Sequence, residues 1–465
     1  MTRLPALLAS AVAVATLAGC APTYNWLAGS GGPTQEDEAD GISADSGGRV
    51  IVAGKFLRTA TWGTQTRTAA GGEDMFVARY TPAGALISVA TYGAGADDAI
   101  FDSTTGPSDA TYLSGWFGQT VSFGACAGCT AVSAGGHDMA LVKQDAAGST
   151  QWVRRLGGAA EDGGNEVETD AAGNVYVLAL SNGPFSDGAV TWANDGDIDS
   201  FVIKFRPDGT RVWTRKIGGS GRQRARGIET TGGGAVVVTG EAFGATTIGS
   251  DSYSIAGRAF DVWTARLDGA SGAVLDSAVY GTAGVEDVGR GIAGDAGGDA
   301  FLSGTFTGTM SFGGGVSVQG DGDAAGTFVA RLGPDGTPRW ANAITSASAI
   351  LGGENVTDAA GNLYVTGSYT GPTKFSSTGG PGSTLSAGAT RAFIAKYDPA
   401  GRLLWVSSPS QTDVRTVAGE IAPAPGGRLV MAGVVFGTVQ YPGTAAYSAS
   451  EPDNKDMFVL SVNTD

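Results

Sequence analysis

The stretch Asp74-Met-Phe-Val-Ala-Arg79 is the clearest copy of a phrase that returns seven times along the chain. Each copy reads as a strand led by an aromatic or aliphatic residue, and a glycine-rich turn usually precedes it. The other copies begin at steps of 61 to 65 residues, at Asp138, Asp199, Asp261, Gly326, Arg391 and Asp456. An internal repeat of this length is the signature of a repeat architecture and not of an ordinary globular domain.

Each unit is predicted to contain four antiparallel strands, a to d, and the repeated phrase is strand c. Strand a, such as Asp40–Asp45, leads through a tight turn into strand b, such as Val50–Gly54. The clearest copy of that turn is Asp170-Ala-Ala-Gly-Asn174, where Gly and Asn tolerate the positive φ it needs. A longer b–c connection follows, and strand d begins at an aromatic residue such as Trp152.

The seventh unit ends after strand c near Val462 and lacks a strand d. The N-terminal part supplies one, because Trp26-Leu-Ala-Gly-Ser-Gly-Gly32 matches Trp152-Val-Arg-Arg-Leu-Gly-Gly158. We therefore predict an all-β fold, a seven-bladed β-propeller of four-stranded antiparallel blades whose last blade is closed by the N-terminal strand. A linear solenoid is the competing architecture, but it would need distinct capping repeats, and the sequence shows none.

The units resemble the seven-bladed β-propeller repeat (SBBP) family. The resemblance rests on the Asp-x-Phe-Val-Ala-Lys/Arg phrase, the Asp-x-x-Gly-Asn turn and the Trp strand, and it covers about residues 26–462. Unit four departs from the pattern with Thr231-Gly-Gly-Gly234 at that turn, and unit seven with Pro423-Ala-Pro-Gly-Gly427. The resemblance implies a propeller fold and an exported protein, and it implies no catalytic residues.

The N-terminus predicts export. The apolar stretch Leu4–Ala18 is too short for a spanning helix, and Gly19 and Cys20 follow it as in the lipobox of bacterial lipoproteins. The resemblance implies cleavage before Cys20 and acylation of its thiol. An ordinary secretory signal with a chance cysteine is the alternative. The predicted organisation is a signal peptide over 1–19, a lipidated cysteine with a short tether over 20–25, and a propeller over 26–465.

Composition and the residues after Cys20 limit the location and the partners. Ala21 and Pro22 carry no aspartate retention signal, so we expect lipid anchoring in the cell envelope, at the outer membrane. The net charge is −16. Because phosphate binding needs a basic face, nucleic acid is an unsuitable partner.

The strand order predicts which face could bind a partner. The short a–b and c–d turns share one face, and the long b–c and d–a connections share the other. Long variable loops on a rigid scaffold are where recognition normally lies. We expect a protein that is not an enzyme and that binds protein or glycan through the long-loop face, with the membrane at the short-turn face. The alternative is a propeller enzyme acting on polysaccharide, of lyase or glycosidase type, with acidic residues around the channel.

One segment of the long-loop face differs from the others. Most units carry a pair of acids between strands d and a, which the repetition marks as a turn or strand-cap device: Glu36-Asp37, Asp97-Asp98, Glu161-Asp162 and Glu286-Asp287. Unit four instead has Arg222, Arg224 and Arg226, whose alternate spacing predicts three guanidiniums on one side of an extended segment. They could bind a carboxylate, sulfate or phosphate, or pair with acids of neighbouring loops.

Cysteine and histidine are scarce. Cys126 and Cys129 lie in the b–c loop of unit two, where export favours a local disulfide over a redox or zinc site. His137 is the only histidine and has no recognisable nucleophile motif beside it, which disfavours a Ser-His-Asp triad. We expect no resident cofactor and no metal site at these residues.

Calcium is a weaker possibility elsewhere. Asp195, Asp197 and Asp199 are spaced like the start of a calcium loop, but no downstream acid stands at the required distance. Hairpin turn chemistry explains the same spacing.

Overall fold

The computed structural model describes residues 15–16, 22–32, 37–255, 259–282, 284–346, 350–386, 388–408, 415–449 and 455–464. The predicted signal peptide, Cys20 and Glu36 lie outside these residues, apart from Ala15–Thr16, which pairs with Trp405 and Val406. Within the described ranges the chain is built of strands and one 3₁₀ turn, Pro107–Asp109. None of its helical segments there has the length or apolarity to span a membrane.

The strands form seven antiparallel units of four, so the predicted propeller is confirmed. Strands a are Glu38–Ala44, Asp98–Thr105, Asp162–Thr169, Arg222–Thr230, Val288–Gly294, Ile350–Thr357 and Arg415–Ala424. Strands b are Val50–Trp62, Thr111–Phe117, Val175–Ser181, Ala235–Ile248, Ala300–Phe306, Leu363–Tyr369 and Arg428–Phe436. Strands c are Gln65–Tyr80, Asp138–Gln144, Asp199–Phe205, Asp261–Asp268, Gly326–Leu332, Arg391–Tyr397 and Asp456–Asn463. Strands d are Leu86–Tyr92, Thr150–Leu156, Arg211–Gly218, Val274–Tyr280, Pro338–Ser346, Leu403–Ser407 and, for the seventh blade, Thr23–Gly31.

The blades are arranged in a closed ring. Each strand a contacts strand a of the next blade, and strand a of blade 7 contacts strand a of blade 1. The inner strands therefore surround a central channel. Apolar side chains of strands b and c fill the spaces between blades, as in the cluster where Phe301 and Val329 of blade 5 meet Val365 and Phe393 of blade 6.

The N-terminal strand completes blade 7 as predicted. Thr23 lies opposite Asn463 and Ser30 opposite Met457, so strand d runs antiparallel to strand c. Its start therefore lies on the short-turn face. Trp26 also joins blade 7 to blade 1, because its Nε1–H donates to the carbonyl of Pro82 at 3.0 Å.

The b–c connections form outer arms that cross to the preceding blade. In blades 1, 4 and 6 the arm pairs with strand d of the blade before it; Trp62 lies opposite Ser30, and Phe375 opposite Ile344. Shorter arm strands are Thr120–Ser122, Thr130–Val132, Phe185–Ser186, Thr191–Trp192, Asp251–Ile255, Thr309–Gly313, Val316–Gln319, Thr373–Phe375, Ser383–Leu385, Thr438–Val439 and Tyr447–Ser448. The large apolar residue of the arm is buried between blades, as Trp62, Phe375 and, in blade 4, Ile248 show.

In blades 2, 3 and 5 a cation near the end of strand c and the tryptophan of strand d both bind the same carbonyl of the next blade. In blade 2, Lys143 Nζ and Trp152 Nε1 both donate to the carbonyl of Pro207 in the next blade, at 2.8 and 3.1 Å. Blade 3 repeats the arrangement with Lys204 and Trp213 on Gly269, and blade 5 with Arg331 and Trp340 on Pro399. Because the acceptor is a turn carbonyl, these two residue types persist in the repeat for a structural reason.

Candidate functional site

A β-bulge in every strand a directs side chains toward the channel. The pairing with strand b slips in each blade, for example between Ala39 and Gly41 in blade 1 and between Ala225 and Gly227 in blade 4. Neighbouring inner strands lie so close that a Cβ on Gly41 would stand 2.6 Å from the Ser103 nitrogen. Each blade also carries one charged residue at or directly beside its bulge, namely Asp40, Asp102, Glu166, Arg226, Arg290, Glu354 and Glu420.

This set, the charged ring, borders two cavities of about 170 and 300 Å³ that share Glu166, Glu354 and Glu420. Glu168 and Glu229 line the larger one as well, so acids outnumber cations in the channel. Arg226 is bound on both nitrogens by Glu241, with Nη2 2.8 Å from Oε1. The remaining ring cation is Arg290.

The carboxyl groups that crowd the channel have raised pKa values. Burial raises the pKa of Asp40, Asp102, Glu168 and Glu354 to about 7. Burial, with repulsion from neighbouring carboxylates, raises the pKa of Glu166, Glu229 and Glu420 well above the ordinary value. Desolvation dominates these pKa shifts because few cations face the acids.

A cleft of about 330 Å³ opens on the long-loop face between blades 2 and 3. Phe101 and Asn165 border both this cleft and the charged ring, so the cleft is the mouth of the channel at that point. Trp116, one residue after the repeated glycine of strand b, forms an aromatic wall with Phe101, their ring centroids 6.1 Å apart. Arg224 reaches the cleft from blade 4.

His137 stands at the rim of this cleft, immediately before strand c of blade 2. Its Nδ1 lies 2.6 Å from Oε2 of Glu161, and its ring meets Trp116 edge-on with centroids 3.9 Å apart. The histidine backbone N–H also donates to Glu161. Those hydrogen bonds hold the pKa of Glu161 below its usual range, so the acid is a carboxylate. The Nδ1–H then faces Glu161 and leaves the Nε2 lone pair for other chemistry.

The structure separates the three predicted arginines. They lie along strand a of blade 4, not in a loop, and alternate with the buried residues Gln223 and Ala225 as the spacing predicted. Arg226 forms the internal pair with Glu241, and Arg222 lies 3.7 Å from Asp197.

Arg224 is the member that borders the cleft. Its Nε is buried and has no hydrogen-bond partner among the described residues. Burial and the neighbouring Arg226 lower its pKa to about 10, so it is still a cation at neutral pH. Pairing with neighbouring acids is thus seen at Arg226 and Arg222. Binding of an anion by Arg224 stays a prediction.

The possible calcium ligands do not converge on one point. Lys216 Nζ lies 2.8 Å from both Asp195 and Asp199, and Asp197 faces Arg222. Asp199 also caps its own turn by accepting the Asp195 N–H at 2.8 Å. Among the described residues, no group of three or more His, Cys, Asp or Glu is placed to hold a metal.

The acid pairs act largely as caps. Asp98 accepts the N–H groups of Ala94 and Gly118, and Asp287 accepts those of Thr282 and Thr307. In the b–c loop of blade 2, Cys126 and Cys129 are joined in a disulfide, with Cα atoms 5.3 Å apart.

The sequence analysis missed the charged ring, the aromatic wall and the pairing of His137. A signal was present. The position after the repeated glycine of strand b (Ala179 in unit three) is Lys55, Trp116, Leu180, Glu241, Thr305, Ser368 and Val434 in successive units. Such variation inside an otherwise constant phrase indicates a site facing the channel mouth.

Comparison with known proteins supports the class of protein. No protein-family model matches the chain. An uncharacterized WD repeat-containing protein of Acanthamoeba polyphaga mimivirus is 25% identical over 372 residues, which are 71% of this chain and 24% of that protein. This chain thus spans about a quarter of that relative's length.

Solved structures resemble it at low identity. The Dos1 propeller covers 95% of both chains with a TM-score of 0.43 and 8% identity. A puromycin hydrolase covers 90% of this chain and 55% of its own, with a TM-score of 0.47 and 12% identity. A polysaccharide lyase, bound to an ulvan fragment, covers 93% and 97%, with a TM-score of 0.44 and 11% identity. The chain is a β-propeller repeat protein, and these likenesses concern the fold alone.

The prediction that the protein is not an enzyme is wrong as an inference from fold and sequence. The propellers that resemble this chain include a hydrolase and a lyase. The prediction rested on a repeated set of acids and on one histidine without a nucleophile motif. It overlooked that His137 has an ionised partner and stands in a cleft.

Proposed function

We propose that the protein is an exported, lipid-anchored propeller of the SBBP type, held at the outer membrane through Cys20. The support is the apolar leader that ends at Cys20 and the position of strand d, whose first residue Thr23 lies opposite Asn463 on the short-turn face. A short tether from that face leaves the cleft pointing away from the membrane. Partners in this arrangement are the membrane and an envelope glycan, or a protein that carries one.

The anchor has a direct test. Replacing Cys20 with Ala removes the only thiol that an acyl chain could use before strand d, and the protein is expected to move from the membrane fraction to the soluble envelope fraction. Fractionation with immunoblotting measures the shift, and Cys126→Ala/Cys129→Ala serves as the control that keeps Cys20. Membrane retention of the Cys20→Ala protein would contradict the anchor.

We further propose that the cleft binds a glycan that carries carboxylates, such as a polyuronate. The observation that carries this proposal is Arg224, a cation bordering the cleft whose Nε lacks a hydrogen-bond partner among the described residues. A guanidinium binds a carboxylate in two parallel hydrogen bonds. Phe101 and Trp116 give a sugar ring an apolar surface to pack on. Asn165, whose Nδ2 donates to Ala225 and Arg226, would present its Oδ1 to a hydroxyl, and Asn182, whose Oδ1 accepts the Glu161 N–H, its Nδ2.

Arg224→Gln tests the glycan site. Loss of a charge-assisted hydrogen bond in a half-buried site costs about 1.5–3 kcal/mol, so the Kd for polygalacturonate or alginate oligomers should rise about tenfold to a hundredfold. Isothermal titration calorimetry measures the change. Arg402→Gln is the matched control, since Arg402 is an exposed arginine on a short turn of blade 6. If the wild-type protein binds neither polyuronate, or if both variants bind alike, the cleft is not a carboxylate site.

A further inference from the structure

We propose that the cleft also cleaves its ligand, with His137 removing the proton next to a uronate carboxylate so that the glycosidic bond breaks by β-elimination. This inference rests on the carboxylate site proposed above. It adds a reaction class and names the residues that carry it.

The base is defined by geometry. A histidine acts as a base through the ring nitrogen that carries the lone pair, and the partner of the other nitrogen decides which one that is. At His137 the Nδ1–H faces Glu161 at 2.6 Å, which leaves Nε2 as the acceptor. Trp116 supports the ring edge-on, and the imidazole is partly exposed at 29%. The ring is therefore oriented and supported, and part of it is open to solvent.

Glu161 is a positioning residue. It accepts both the ring Nδ1–H and the backbone N–H of His137, at 2.6 and 3.2 Å. The backbone contact holds the carboxylate in place, and the ring cannot turn away without losing the Nδ1–H contact. Its carboxylate also stabilises the imidazolium that forms when Nε2 takes a proton. Glu161 is 59% exposed, so water weakens this effect without removing it.

Arg224 supplies the second requirement. A proton next to an ionised carboxylate is weakly acidic because the carbanion would add negative charge beside an existing one. A guanidinium on that carboxylate offsets the charge and stabilises the enolate as it develops. Arg224 and His137 border the same cleft, so a uronate carboxylate on Arg224 would lie in the cleft that His137 overlooks.

The bonds balance without a further reactant. Nε2 of His137 takes the proton from C5 of the uronate, and the electron pair of that C–H bond forms the C4=C5 double bond. The C4–O bond breaks, and its electrons leave with the glycosidic oxygen. That oxygen takes the proton from the imidazolium or from water, so the products are a new reducing chain and a 4,5-unsaturated uronate. Nothing is oxidised, and no water is consumed overall.

The experiment incubates the folded mature chain with polygalacturonate, alginate and hyaluronan. Elimination is followed by the ultraviolet absorbance of the unsaturated uronate and by product mass, and binding is measured in parallel by calorimetry. His137→Ala should lower kcat on the order of 10²–10⁴-fold and leave Kd and the thermal midpoint nearly unchanged. Glu161→Gln should lower kcat less and move the acidic limb of the pH profile to lower pH, a readout that a merely structural role would not change.

The outcomes separate the two proposals. Failure of every polymer to bind contradicts the carboxylate site itself. Binding without an unsaturated product overturns the elimination and leaves the binding proposal standing. Products that have gained water, instead of carrying a double bond, show hydrolysis and also overturn it, as does full activity in His137→Ala.

Discussion

Removal of residues 22–32 from the mature chain is expected to abolish the cooperative unfolding transition of the propeller. This segment is strand d of blade 7, and its loss exposes the edge of strand c over Asp456–Asn463. It also removes Trp26, which donates to Pro82 of blade 1, and the pairing of Ser30 with Trp62. The ring is then open between its last and first blades.

The expected loss is comparable with the whole stability of a domain, roughly 5–15 kcal/mol. Urea unfolding followed by circular dichroism, with size-exclusion chromatography, compares chains that begin at residue 21 and at residue 33. The shorter chain should aggregate or unfold over a broad range.

A peptide of residues 21–33 provides the specific control. Added in trans, it should pair with strand c and restore the transition, because an exposed edge accepts an extended peptide through main-chain hydrogen bonds. A peptide of the same composition in scrambled order should not. If the shorter chain unfolds as cooperatively as the longer one without any peptide, closure by the N-terminal strand does not stabilise the ring.

The second large effect is a loss of stability as pH rises. The channel acids have pKa values near or above 7 in the folded protein because of burial, for example about 7 at Asp102 and Glu354. In the unfolded chain they return to about 4. The folded state therefore binds more protons, and the stability this contributes is complete below about pH 4 and is lost as pH rises through about 7.

Other carboxyl groups, whose pKa values are lowered in the folded protein, reduce its stability at low pH. Asp170 and Asp358 accept hydrogen bonds in the a–b turns that hold their pKa values below the ordinary range, so their contribution is lost as pH falls. Stability should therefore be greatest near about pH 5. The cations that face the channel acids are Arg226 (already paired with Glu241), Arg290, and Lys55, which bridges Glu38 and Glu73. These cations are too few to reverse the loss of stability as pH rises.

Urea midpoints at about pH 5 and about pH 8 measure this effect, and the midpoint should be higher at the lower pH. Replacing Glu166 and Glu420 with Gln removes two of the most perturbed carboxyl groups, so the double variant should be stabilised at the higher pH and depend less on pH. Glu286→Gln, an exposed acid of the long-loop face, is the matched control. A flat pH profile in the wild-type protein would show that the channel acids are compensated in another way.

The candidate site could be predicted only in part from the sequence. The alternation of Arg222, Arg224 and Arg226 predicted an extended segment, and the three residues lie on strand a of blade 4. Arg226 is the internally paired arginine, and its partner Glu241 lies on strand b. Only the register of the blade, which places Glu241 opposite Arg224, brings this acid next to the arginines. His137 was judged by its sequence neighbours, whereas its partner Glu161 stands in the next blade, 24 residues away.

The sequence by itself determined the repeat, the number of blades and the strand that closes the ring, because these depend on local strand and turn chemistry that recurs at a fixed spacing. The contacts of Lys143 and Trp152 with the Pro207 carbonyl were not predicted, although both residues belong to the repeated phrases. Only the tertiary structure decided the composition of the channel. The bulges shift the inward position by one residue between blades, so Asp40 and Glu354 occupy equivalent places without occupying the same repeat position. Side chains from all seven blades meet there across long stretches of chain, and their shared burial sets their charge.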